Sequence, residues 1–364
     1  MRVCPTKKAA GKRLARSVIG PSGGLLLAAG TVLTSQHVRA LLRRGVRAVA
    51  VEQDLFPGIE VSETVCAETQ RDAAEAVKRA WEAVRRNDAI PAGAVRRAAE
   101  AVAMEVRCNP DLGFVLSAVR MADEFTYKHL VDVCVYSLVL GKAFGLGWDD
   151  LVRLGVGALL HDIGKARMPE LTAKPGPLSE EERARMKEHP EIGFRILRDN
   201  FEISLLSAHV ALQHHEKWDG SGYPRGLKGS EIHEFGLVAA VADTWCALVS
   251  ERPYRKAMHP VEAARILMDM AGSALETGLV RKFLLSVAWY PTGSIVLLED
   301  GRVGVVTGQD PDFPERPEVA VVADLSGRIF PAERVRTSKI RRILPDWPKK
   351  AKEALRDLGA IPAS

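Results

Sequence analysis

The reading of this chain turns on Ala158-Leu159-Leu160-His161-Asp162-Ile163-Gly164-Lys165. An apolar helical run that ends in a His-Asp pair and stops at a glycine brings two ligand-type side chains to one helix end. Neighbouring helical side chains diverge by about 100°, so the two do not share one cation symmetrically. One arrangement that suits both has the carboxylate bridging two cations and the imidazole bound to one of them. Working outward, His214-His215 forms a second adjacent pair before a loop, and Asp243 in Val241-Ala242-Asp243 follows an apolar stretch. His129 and His189 fall in the same block. Imidazole and carboxylate without thiolate suit Fe, Mn, Zn or Ni better than Ca or Mg. Five His and two Asp exceed the four ligands of one tetrahedral site, which points to two metals and a dinuclear hydrolase of open substrate. His37, His209, His233 and His259 read as hydrogen-bonded structural histidines.

Composition narrows the class. The 364 residues are 47% hydrophobic, 27% charged and 6% aromatic, which excludes wholesale disorder and fits two or three domains. No apolar run reaches the ~18 residues of a membrane span. The stretch Leu25 to Leu33 is short and sits behind Pro21, Gly23 and Gly24, which interrupt any signal-peptide core despite the basic residues ahead of it. A cytoplasmic protein is expected. The net charge of +5 is spread over interleaved charges and forms no stripe with aromatics, so no nucleic-acid partner is expected. Five cysteines, scattered and without a CxxC, fit a reducing compartment and no disulfide or structural zinc framework.

Periodicity predicts a mainly α protein: a helical bundle flanked by a small N-terminal α+β unit and a small C-terminal β module. Residues 1–60 hold the α+β unit, with a helix capped by Thr34 and ended by Gly45, then a strand over Val46 to Val51. Residues 61–113 read as a helical linker, in which Val77, Trp81 and Val84 and then Val95, Ala99, Val102 and Val106 recur at helical spacing. Residues 114–288 form the long helical block that holds the candidate ligands. Residues 289–338 change to strand period, and 339–364 read as a solvated basic tail containing Arg341, Arg342, Lys349, Lys350 and Lys352.

His161-Asp162-Ile163-Gly164-Lys165 followed by His214-His215-Glu216-Lys217-Trp218-Asp219-Gly220-Ser221-Gly222-Tyr223-Pro224 resembles the HD-GYP family, a branch of the HD phosphohydrolases. Lys174-Pro175-Gly176, Glu188-His189-Pro190, Val241-Ala242-Asp243 and Arg252-Pro253-Tyr254-Arg255 match in order, and Asp123 to His129 is similar to the lead-in to the first ligand. The resemblance implies an all-helical fold and metal-dependent hydrolysis of cyclic di-GMP, a bacterial second messenger, to pGpG or GMP by a metal-bridged hydroxide. It implies two divalent ions, Fe or Mn. His129, His161, Asp162 and Asp243 would hold one ion, and the bridging Asp162 with His189, His214 and His215 the other. Asp162 and Lys165 would be catalytic, with Lys165 turned toward the phosphate. Lys174, Tyr223, Arg252 and Arg255 would contact substrate. The resemblance also allows signalling partners on the Gly-Tyr-Pro loop or the flanking domains, and a homodimer.

Two positions depart from the family pattern. Phe125, four residues before His129, stands where members with a third metal place Glu, so a two-metal centre is expected. Cys246 stands where a second Asp follows the Asp243 motif, which leaves substrate preference less constrained. The alternatives are an HD phosphohydrolase for another cyclic dinucleotide or nucleotide, and a non-catalytic module that binds cyclic di-GMP or a protein partner.

Overall fold

The N-terminal residues pair early: β1 (Arg2–Pro5) runs antiparallel to β4 (Ala48–Val51), and β2 (Val18–Ile19) to β3 (Leu25–Leu27). Between them lies α1 (Ser35–Arg43), where the Thr34 hydroxyl accepts from the His37 N–H and the His37 ring accepts from the Thr34 N–H. His37 thus completes a cap, as expected of a hydrogen-bonded structural histidine. Ala9, Leu14, Leu33, Val38, Leu41, Val46, Val49 and Val51 form the core here. This is a computed structural model, and it describes the chain except residues 1, 7–8, 15–17, 20–24, 29, 45, 47, 52–63, 109–124, 175, 251–256, 311, 345–347 and 358–364. Gly45 and the proposed substrate contacts Arg252 and Arg255 therefore lie outside the described residues.

The chain divides into two units, one of residues 64–111 with 126–286, the other of the remaining segments. The first unit contains α2 (Ala67–Arg86), α3 (Ala92–Cys108), α4 (Phe125–Phe144), α5 (Trp148–Leu159), α6 (Pro169–Thr172), α7 (Glu180–Met186), α8 (His189–Arg198) and α9 (Leu205–Gln213). It continues through α10 (Glu234–Val249), α11 (Pro260–Met270) and α12 (Thr277–Ser286). The stretch expected as a linker is part of this unit: α3 packs on α5, and α2 on a 3-10 turn at Ile163–Arg167. The reason is its burial pattern, since Val77, Trp81 and Val84 of α2 and Val95, Ala99 and Val102 of α3 are all inside. A linker would leave such a face in water at a cost of about 25 cal/mol per Å². Asn87, at φ 61°, ends α2 in the left-handed region and turns the chain into α3.

The C-terminal lobe is a five-stranded antiparallel sheet in the order β8-β7-β6-β5-β9. Its strands are β5 (Ile295–Leu298), β6 (Arg302–Gly308), β7 (Glu318–Asp324), β8 (Ile329–Arg336) and β9 (Ile340–Leu344). The basic tail expected from 339 onward is corrected here. β9 pairs with β5, and α13 (Lys349–Asp357) buries Ala351 and Leu355 in the core of the sheet. Ala351 and Leu355 lie four apart, so they share one helical face while Glu353 between them stays exposed. No described helix is long and apolar enough to cross a membrane.

Candidate metal centre

The helix α5 ends at Leu159, one turn before the sequence pattern stops it. His161 and Asp162 follow in a tight turn that continues as the 3-10 segment through Gly164. Gly164 explains why the turn sits where it does: a Cβ there would lie 2.1 Å from the His189 carbonyl oxygen and 2.7 Å from the Gly193 nitrogen. Only glycine lets this backbone touch the start of α8, and the contact places Asp162 beside His189.

Three of the imidazoles are oriented by main chain. His161 Nδ1 donates to the Ala158 carbonyl and His189 Nδ1 to the Met186 carbonyl, each at 2.7 Å. His214 Nδ1 lies 3.1 and 3.0 Å from the Val210 and Ala211 carbonyls. A carbonyl oxygen only accepts, so the proton sits on Nδ1, and in the neutral ring Nε2 is a bare lone pair. Burial favours the neutral ring: it drives His161 down to about 4, and lowers His189 and His215 as well.

The bare nitrogens converge on Asp162. Its Oδ1 is 3.1 Å from His189 Nε2 and 3.6 Å from His214 Nε2, while Oδ2 is 3.5 Å from His161 Nε2. His189 Nε2 and His214 Nε2 face each other at 3.3 Å. Burial works against the Asp162 charge, the Lys165 ammonium favours it, and the carboxyl is held well below its usual range. Lys165 Nζ donates to Asp162 Oδ2 at 2.6 Å. His215 completes this group, with its ring 4.0 Å from that of His214 and 5.1 Å from that of His189.

A second group adjoins it. His129 on α4 and Asp243 on α10 meet at 3.1 Å, and the His129 ring lies 5.6 Å from that of His161. Burial also opposes the Asp243 charge, but His129, His161 and His215 pull its carboxyl far below the usual range. The donor atoms of His129, His161 and Asp243 lie within 4.8 Å of one another, as do those of Asp162, His189, His214 and His215. All seven candidate ligands are therefore brought together, in two groups joined through the adjacent His161 and Asp162.

The donor set fits divalent cations. Lone pairs facing one another at 3.1–3.6 Å repel unless a positive charge lies between them, and both Asp162 Oδ1 and His161 Nε2 are buried with no hydrogen-bond partner. Imidazoles whose other nitrogen is fixed on a carbonyl are the usual form of a metal-ligating histidine.

Residues 117–277 match the HD domain family, and residues 295–336 match the "KOW domain associated with HD domain". The chain carries an HD domain. Over 210 residues the chain is 38% identical to a cyclic di-GMP phosphodiesterase of Pseudomonas aeruginosa, covering 57% of this chain and 50% of that protein. A cyclic di-GMP phosphodiesterase of Thermotoga maritima is 42% identical over 176 residues, covering 47% and 48%. A 3'3'-cGAMP-specific phosphodiesterase of Vibrio cholerae is 34% identical over 170 residues, covering 46% and 33%. The chain thus spans about half the length, or less, of these relatives. An HDG"Y"P protein from Bdellovibrio bacteriovorus shares the fold, with a TM-score of 0.51 at 18% identity over 78% of this chain and 97% of that one.

Around the HD domain's donor cluster the other expected residues separate. Tyr223 stacks on His215, with ring centroids 4.7 Å apart at 26°, and its N–H donates to the His215 carbonyl. Lys174 is drawn off: its ammonium bonds both carboxylate oxygens of Glu182, at 2.7 and 2.5 Å. Position 125 is the first residue of α4. Cys246 is fully buried and belongs to neither donor group, in keeping with a small core residue.

The sequence pattern assigns Glu216 no role, although it lies within the His214 to Pro224 motif. Its buried carboxylate accepts from the Arg225 and Leu227 N–H groups at 2.8 and 3.0 Å, which folds the Gly-Tyr-Pro loop back toward the cluster. Gly222 makes the fold-back feasible, since a Cβ there would lie 2.4 Å from the Lys217 nitrogen. A carboxylate directly after His214-His215 was the available signal.

Proposed function

We propose that this HD domain is a phosphodiesterase that hydrolyses cyclic di-GMP to pGpG or GMP with two divalent ions, Fe or Mn, in the cytoplasm. The observation that carries the proposal is the convergence of bare, buried imidazole nitrogens on the Asp162 carboxylate, whose Oδ1 has no hydrogen-bond partner. Such a set has no stable use without cations, and cations held by His and Asp serve hydrolysis of phosphate esters.

When bound, two cations supply Lewis-acid chemistry: they acidify water and neutralise charge on the phosphoryl oxygens. The residues have distinct tasks. Asp162 would ligate from both oxygens, with His189, His214 and His215 on one side, and His161, His129 and Asp243 on the other. Main-chain acceptors at Ala158, Met186, Val210 and Ala211 fix which ring nitrogen carries the proton and keep the imidazoles aimed. Lys165, held on Asp162, would donate to a phosphoryl or leaving oxygen at the same point. Tyr223 forms a wall beside His215. Arg252 and Arg255 are proposed as further substrate contacts from their motif alone.

The test is anaerobic purification, addition of Fe²⁺ or Mn²⁺, and chromatography of the products from cyclic di-GMP, with the Asp162→Ala protein in parallel. Metal-dependent pGpG or GMP that disappears in the variant supports the reading. A second reading takes 3'3'-cGAMP as substrate, favoured by the similarity to the Vibrio cholerae enzyme specific for it and by Cys246 in place of Asp. Parallel assays on the two dinucleotides separate them. No product from a folded, metal-loaded protein would leave a binding module for the nucleotide or a signalling partner.

A further inference from the structure

Lys187 closes α7 immediately before the HD domain's His189. Its N–H donates to the Arg183 and Ala184 carbonyls, and the neighbouring Met186 carbonyl holds His189 Nδ1. The backbone that orients a candidate ligand therefore also fixes the base of Lys187. Its side chain is exposed, and Nζ lies 5.5 Å from the centroid of the Tyr223 ring, which stacks on His215. The ammonium is thus at the rim of the four-donor group, one ring removed from it.

The neighbouring lysines are already committed. Lys165 is paired with Asp162, and Lys174, the substrate contact expected from sequence, is paired with Glu182. Among the described residues Lys187 makes no ion pair, and its contact with the Tyr223 ring is the weak cation–π kind that a full anionic partner displaces.

We propose that Lys187 is a substrate-specifying cation, which contacts the phosphodiester of a cyclic dinucleotide that is not under attack. The inference rests on the proposed hydrolysis of such a substrate. A cyclic dinucleotide carries two phosphodiesters, each with one negative charge. When one lies at the donor cluster, the ring holds the other away from it, where it needs a cation of its own. A lysine on a flexible stem at the rim serves as a point charge for that second phosphate, and Tyr223 keeps the ammonium on the correct side before substrate arrives.

The experiment uses the full chain loaded with Mn²⁺ and steady-state kinetics on cyclic di-GMP at two salt concentrations. Lys187→Gln is expected to raise KM about tenfold, the effect of losing one charge-assisted contact, with a much smaller change in kcat. The dependence of KM on salt becomes shallower, and calorimetric affinity for pGpG weakens in parallel. Lys187→Arg keeps the charge and recovers most of the loss. Lys174→Gln shifts KM less than Lys187→Gln. A KM within twofold of the parent in Lys187→Gln, or an equal rise in Lys187→Arg, overturns the assignment. If the parent protein hydrolyses cyclic di-GMP while the Gln variant is unchanged, Lys187 alone is wrong. If the parent neither binds nor hydrolyses it, the proposed function fails and Lys187 falls with it.

Discussion

Asp162, His189, His214 and His215 come from a turn and from helix ends, whereas His129 and Asp243 come from within α4 and α10. The first group is built by its backbone. Carbonyls fix two of its three rings, and the resulting 3.3 Å approach of His189 and His214 nitrogens is unfavourable until a cation enters. The second group is partly satisfied by itself: His129 Nε2 and Asp243 Oδ1 at 3.1 Å form a favourable hydrogen bond when the ring carries its proton there. Their side chains are also more open, at 13% and 17% exposure against 1% for His189 and 6% for Asp162. A cation entering the first group removes a repulsion, while one entering the second must displace a bond. The comparison therefore ranks the sites, with the first the tighter.

Breaking the link between the groups has the largest expected effect. Asp162→Ala removes the carboxylate proposed to serve both, so metal analysis should find neither ion retained, and turnover should fall by more than about a thousandfold. His129→Ala sharpens the ranking: one ion of two should remain, with activity lower by at least about a hundredfold. Loss of both ions in that variant would sink the idea that the first group stands alone. Gly164→Ala attacks the assembly of the first group. Its methyl meets the His189 carbonyl at 2.1 Å, so a denaturant titration should report about 3 kcal/mol of lost stability, the cost of forcing backbone apart in a packed interior.

The parts of this arrangement that sequence conveys are those written locally. His161-Asp162 and His214-His215 each place two donors in one quotable motif, and the apolar run before His161 announces the helix that carries them. The pairing of His129 with Asp243 depends on α4 and α10 meeting, and periodicity gives no direction for that encounter. Lys174 and Lys187 show the limit clearly. The motif around Lys174 makes it an expected substrate contact and nothing in the pattern marks Lys187, yet the capping of α7 by Ser179, which brings Glu182 onto Lys174, decides which ammonium remains available. At the C-terminus, lysine-rich composition hid β9 and α13, because Ala351 and Leu355 are too few to mark a buried face among so many charges.

The smallest effect concerns protons, and it follows from the burial of His161, where the two groups join, and of His189 and His215 in the first group. His161 is held near 4 in the folded chain against about 6.5 when unfolded. Below pH 6.5 the unfolded chain takes up a proton that the folded chain refuses, so stability drops as pH falls from about 6.5 to about 4. One unit is worth about 1.4 kcal/mol per proton. Between pH 7 and 4.5 His161 alone should therefore remove roughly 2–3 kcal/mol from the metal-free protein, and the lowered His189 and His215 add in the same direction. Asp162 and Asp243, depressed in the fold, contribute stability that is present above the ordinary carboxylate range and lost only at still lower pH. Urea titrations of metal-free protein at the two pH values measure the slope. A flat or rising stability on acidification would mean that the imidazoles are not held neutral, and the contrast between the two groups would lose its physical basis. With metal present the loss should steepen, because protons then compete with the cations for the same bare nitrogens.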